Sequence, residues 1–271
     1  FSGRGDLKRA EQYFAEAIDI ARSNKGKLRE ARGLSNLGHV YIQTGRVEDG
    51  IRFVQDALTY FQQNNYPRSV SLCLSQIGRG YRRKGDYNSA IQALNHKLQL
   101  AQQDSNQVVI ADSYAEIGSV LFDQENLPAA LEHYDNALKI YRSINDPLKI
   151  VFNQANRGNI LWRLGRYDEA KQALDEVSTA ARQPNSNFKQ LVPLLELIDA
   201  QIFLSERNFS RASAKSSEAM SLAGTDDRQV AIESKLTLGL IKALSGGSKD
   251  AQLLCEDAVR LANDAGESLL S

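Results

Sequence analysis

Leu34, Leu37, Val40 and Tyr41 fall three and four residues apart, the spacing of a helix that buries one face and wets the other. The polar stretch TGRVED interrupts the pattern, with Gly45 free to take the left-handed backbone geometry that ends a helix. Ile51, Val54, Ala57, Leu58 and Phe61 then mark a second amphipathic helix. After it QQNNYPRS breaks the register, and Pro67, which lacks an amide donor, blocks helical continuation. The first helix of such a pair is named A here and the second B.

The pair recurs. Gly5, Gly45, Gly85, Glu125 and Gly165 follow one another in steps of forty residues; Arg207 comes after forty-two and Gly246 after thirty-nine. Pro147 repeats Pro67 eighty residues on. A fixed period of this size marks a solenoid, in which each unit buries its apolar face against its neighbours. The run Arg4-Gly5-Asp6 spells a cell-adhesion tripeptide, but it falls on this register and reads as a repeat turn.

Small residues hold two further registers. Gly38, Gly78, Gly118, Gly158, Ala200 and Gly239 stand seven residues before each turn; Gly50, Ala90, Ala130, Ala170, Ala212 and Ala251 stand five after it. A glycine inside a helix costs about 1 kcal/mol relative to alanine, so the series predicts that A and B cross there at backbone contact. Twelve residues past the turn Ala17, Ala57, Ala137, Val177, Ala219 and Ala258 repeat the requirement, and Lys97 departs from it.

Composition narrows the classes. With 271 residues, 42% of them apolar, the chain is long enough for an elongated array. Lys plus Arg and Asp plus Glu both number 33, and that zero balance argues against a nucleic-acid partner, whose affinity needs an excess of cations. No run approaches the roughly eighteen apolar residues of a membrane span. Cys73 and Cys255 lie too many repeats apart to pair, which points to a reducing, cytoplasmic setting. The chain opens on Phe1 and its one methionine is Met220, so it reads as a piece of something longer. His39, His96 and His133 sit in different repeats with no carboxylate or cysteine at ligand spacing, and the glycines belong to turns and crossings. The expectation is a non-catalytic chain with no metal and no cofactor.

The stretch ARGLSNLGHVYIQTGRVEDGIRFVQDAL resembles a tetratricopeptide repeat, with Leu34, Leu37, Gly38, Tyr41, Gly50, Val54 and Ala57 in the family's places and Gly50 where Ala is usual. The forty-residue length is similar to the long-helix subclass of Pins-type adaptors and kinesin light chains. The resemblance implies an all-α fold, a right-handed α-solenoid of tandem antiparallel helix pairs. On this reading a single array spans 1–271, with an orphan helix B at 6–23 and repeats at 28–64, 68–104, 107–144, 148–183, 188–224 and 228–265. Phe14, Ala17 and Ile18 of the orphan helix are expected to lack an upstream partner, which makes self-association through that uncapped face an expectation. No solvating helix is evident after RLANDAGESLLS either.

The resemblance also implies a concave groove lined by the A helices. Its positions here are Arg32, Ser35, Asn36, His39 and Ile42; then Leu72, Ser75, Gln76, Arg79, Arg82 and Arg83; then Asp112, Glu116 and Asp123. Asn156, Asn159, Trp162 and Arg163 follow, and the last two repeats offer mostly leucines, among them Leu197, Leu204, Leu240 and Leu244. Asn36, His39, Arg79, Arg82, Arg83, Glu116, Asn156, Asn159, Trp162 and Arg163 are the candidate peptide-binding residues. A basic cluster is followed by an acidic band, so a peptide carrying acidic then basic residues would match; charges that only pair across neighbouring helices are the alternative. Trp162, the one tryptophan, is either a binding anchor or a filler between A helices. Ser35 with His39, Gln76, and Asp112 with Glu116 depart from the chaperone-tail clamp, so that role is not expected. Two functions fit: a scaffold that holds a peptide segment of a partner protein, or an effector-sensing region of a larger signalling or transcription regulator.

Overall fold

The computed structural model describes residues 4–265 apart from 184, 185, 187, 225 and 226. Within them the chain is all-α, with no strand among the described residues. It divides into two compact units, Phe1–Asn145 and Asp146–Ser271. The first holds α1 (Arg4–Ser23), α2 (Lys27–Gln43), α3 (Val47–Gln63), α4 (Pro67–Arg83), α5 (Tyr87–Gln103), α6 (Gln107–Asp123) and α7 (Leu127–Ser143). The second holds α8 (Pro147–Arg163), α9 (Tyr167–Ala181), α10 (Val192–Ser205), α11 (Phe209–Ala223), α12 (Arg228–Leu244) and α13 (Ser248–Ala265). A short 3-10 turn, Lys189–Leu191, precedes α10 in the stretch where the period lengthens.

In the first unit each helix packs on its chain neighbours, and α4 also touches α2 and α6. In the second, α10 touches α8 and α12 in the same way. Within each unit the even-numbered helices are thus the A helices of tandem hairpins, adjoining one another along one face. Val54, Ala57, Ala90, Ala130 and Ala137 are fully buried, as the small-residue registers predict.

The crossings are as close as the glycines imply. A Cβ on Gly38 would stand 2.7 Å from the Gly50 carbonyl oxygen and 2.6 Å from Val54, and one on Gly50 would stand 2.6 Å from the Gly38 oxygen. One on Gly78 or Gly158 would meet Leu94 or Leu174 at under 3.0 Å. Each hairpin turn needs one left-handed residue: Gly45, Gly85, Gly165 and Gly246 supply it without strain, whereas Glu125 and Arg207 adopt it with side chains.

A second left-handed series joins each B helix to the next A: Lys25, Asn65, Ser105 and Asn145, again forty residues apart. Pro67 and Pro147 do more than stop helices. Each is the first residue of the next one, where its missing donor costs nothing. Asp86, Asn106, Asp146, Asn208 and Asp227 cap helix starts by accepting a backbone N–H three residues on.

One local expectation is corrected. Arg4, Gly5 and Asp6 lie in the first turn of α1 and not in a repeat turn, since no helix precedes them among the described residues. On the downstream side Phe14 and Ile18 pack into the core shared with α2, Ile18 filling the notch left by Gly33. Apolar residues that α1 turns outward include Tyr13, Ala17 and Ile20.

Candidate binding faces

The A helices of the first unit are stitched together by polar side chains. Ser35 Oγ donates to Gln76 Oε1 (2.9 Å), joining α2 to α4, and Ser75 Oγ donates to Glu116 Oε2 (2.9 Å), joining α4 to α6. Ser35, Ser75, Gln76 and Ile42 are buried in these seams, and Ala155 is buried in α8. The first four line no groove, because adjoining A helices cover them.

The basic cluster divides in two. Arg82 forms a bidentate pair with Asp123, Nε at 2.5 Å from Oδ2 and Nη2 at 3.0 Å from Oδ1, geometry that commits both groups to each other. Arg83 donates from Nη1 to the Ile42 carbonyl (2.7 Å) and pairs with no carboxylate among the described residues. Arg79 is exposed and makes neither a hydrogen bond nor an ion pair among the described residues. Both act on half-buried His39, whose imidazole is held below the ordinary value first by burial and then by the fields of Arg79 and Arg83. Arg79, Arg83 and His39 therefore converge, while Arg82 is spent.

The acidic band is spent as well. Glu116 Oε2 accepts from Lys97 Nζ at 2.8 Å in addition to the Ser75 hydroxyl, and Asp112 Oδ1 accepts from Tyr141 Oη at 2.6 Å. Asn36 is exposed but sits elsewhere, at a cavity of about 680 Å³ between α1 and α2 that Phe14, Ala17 and Arg32 also line. A second cavity, about 400 Å³, lies between the ends of α3 and α5 under Tyr66 and Leu100.

In the second unit Asn156 and Arg163 are exposed and Asn159 and Trp162 half-buried, all on α8. The Trp162 indole Nε1 is buried and finds no acceptor among the described residues. Glu233 on α12 has its carboxyl pushed up mainly by burial, with Gln229 and Arg163 pulling the other way. Leu240 and Leu244 remain exposed on α12, whereas Leu197 is buried in α10. No group of three or more His, Cys, Asp or Glu side chains is placed to hold a metal ion among the described residues, and no helix there is long and apolar enough to cross a membrane. Cys73 is buried, with its thiol pushed up to about 11 by burial.

A family model of the MalT-like TPR region matches residues 36–205, more than half of the chain. The chain belongs to that TPR family. Human G-protein-signaling modulator 1 is 28% identical to this TPR region over 107 residues, which cover 39% of this chain and 16% of that protein. The chain thus spans well under two thirds of that relative. Among solved structures, the apo form of RapI superposes with a TM-score of 0.76 at 12% identity, covering 97% of this chain and 72% of that one. A Rap protein complexed with competence and sporulation factor gives 0.69 at 17% identity, covering 96% and 73%. At such identities the likeness is one of fold.

One feature of this TPR region escaped sequence reasoning. Leu34 and Leu74 occupy a register where the second unit places Gln154, Glu196 and Lys235. Each reaches its own B helix: Gln154 to Glu176 (2.9 Å), Glu196 to Lys215, and Lys235 to Asp257 (3.1 Å). Glu196, almost fully buried, also accepts from Arg182. The signal was present as polar residues on a leucine register.

Proposed function

We propose that this TPR region is a non-catalytic binding module that holds a peptide segment of a partner protein on the A-helix face of its first unit. The observation that carries the reading is the pair Arg79 and Arg83, which gather at His39 on an exposed face with no carboxylate committed to them. Buried or exposed, the other candidate charges of that face already have partners, so these are the groups left to a ligand. A similar fold solved with competence and sporulation factor supports a binding role. The test is selection from a random peptide library displayed on phage. Wild-type protein should enrich a peptide family that Arg79→Glu/Arg83→Glu protein does not, with Arg82 left intact because it ties α4 to α6. Identical enrichment by both proteins would remove this face from the reading.

A second reading, an effector-sensing region of a larger regulator, is favoured by the unanswered Trp162 N–H on α8. A buried donor without an acceptor suits a small polar ligand. Trp162 is the sole tryptophan, so its emission reports directly on that spot. Adding a panel of sugars and amino acids should shift the emission if the reading holds; an unresponsive indole that is also indifferent in Trp162→Phe thermal shifts would end it.

A further inference from the structure

Building on the peptide-binding reading, we infer that the element recognised on the first unit is a carboxylate-bearing acidic segment, held by Arg79 and Arg83. The argument is an inventory of charge. Along this face Asp123 is taken by Arg82, Glu116 by Lys97 and Ser75, and Asp112 by the Tyr141 hydroxyl. Two of the three carboxylates expected to greet a basic stretch of ligand are thus neutralised within the protein, and Asp112 is tied to Tyr141.

What remains open is positive. Arg83 spends one donor on the Ile42 carbonyl, which fixes its guanidinium across the α2–α4 seam and leaves its other N–H groups available. Arg79, one helical turn away, is uncommitted among the described residues. Two guanidiniums beside one imidazole repel each other, and a carboxylate placed among them relieves that repulsion while accepting paired N–H donors. A ligand that is acidic then basic fits only with its acidic part; a purely acidic segment fits throughout.

The groups acting on His39 are Arg79 and Arg83, both from α4; no charged group of α1, α2 or α3 appears among the influences on it. Protonation of His39 adds a third positive charge at the same spot. Affinity for the acidic segment therefore rises as pH falls toward the lowered imidazole value, for as long as the pH stays above the ordinary aspartate value of about 3.9.

The probes are fluorescein-labelled hexa-aspartate and hexa-asparagine peptides, measured by anisotropy against the full chain at low salt. The aspartate peptide should bind, the asparagine peptide should not, and Arg79→Gln/Arg83→Gln should weaken binding at least about tenfold. Arg83→Gln gives up the bond to the Ile42 carbonyl, so circular dichroism checks that the variant still folds. Binding should tighten in the wild type as pH is lowered below the ordinary imidazole range and stay flat in His39→Gln. Equal binding of both peptides, or aspartate binding indifferent to the arginine changes, overturns the inference. A protein that selects peptides from the library through Arg79 and Arg83 yet ignores hexa-aspartate overturns the carboxylate alone; loss of both responses overturns the face itself.

Discussion

Lys97 stands where other repeats put Ala57, Ala137 and Ala219, and its side chain is only 5% exposed. A buried ammonium is tolerable only if paired, and Glu116 on the next A helix supplies the partner at 2.8 Å. The exception to the small-residue rule and the loss of Glu116 as a ligand group are thus one fact. Asp199 on α10 shows the opposite case. Burial, and next the neighbouring Glu196 carboxylate, push its carboxyl above the ordinary value, with Lys215 and Arg182 only partly opposing. A carboxyl raised on folding favours the native state below its unfolded value, and that contribution is lost as pH rises through the folded one. Asp199→Asn should therefore raise the urea midpoint at pH 7 and change it little at pH 3. A variant that lost stability at pH 7 would show that Lys215 and Arg182 outweigh the burial.

At the scale of elements, the hairpin crossings are not equivalent. Gly38 and Gly50 face each other backbone to backbone, so a methyl group on Gly38 meets a carbonyl oxygen that cannot turn aside. At Gly118 the nearest atoms belong to the Tyr134 ring at 3.1 Å, which can yield by a few tenths of an ångström. Gly38→Ala should cost roughly 1–3 kcal/mol, the usual range for overpacking. Gly118→Ala should cost clearly less, because the ring can yield and the helix propensity of about 1 kcal/mol gained by Ala is then not outweighed. Chemical denaturation of both variants decides it, and equal losses would mean the α2–α3 crossing relaxes as easily as α6–α7. The connectors follow the same logic. Asn65 and Asn145 tolerate the left-handed geometry better than Lys25 does, because asparagine's short amide can hydrogen-bond locally. The forty-residue turns thus show in the sequence as glycine on one side of most hairpins and only faintly on the other.

For the whole molecule, the sequence alone determined the all-α class, the helix pairs and the places where A meets B. Those contacts lie within one forty-residue period, so they are written as three-and-four spacing and as recurring small residues. Candidate ligand groups were legible only as a set of charges on the A helices. Which of them are open was decided by tertiary structure, because their partners come from the next hairpin: Asp123 lies 41 residues beyond Arg82, and Arg83 reaches back 41 residues to Ile42. Whether two such groups pair depends on how close neighbouring A helices stand and how their side chains turn, and no local pattern encodes either.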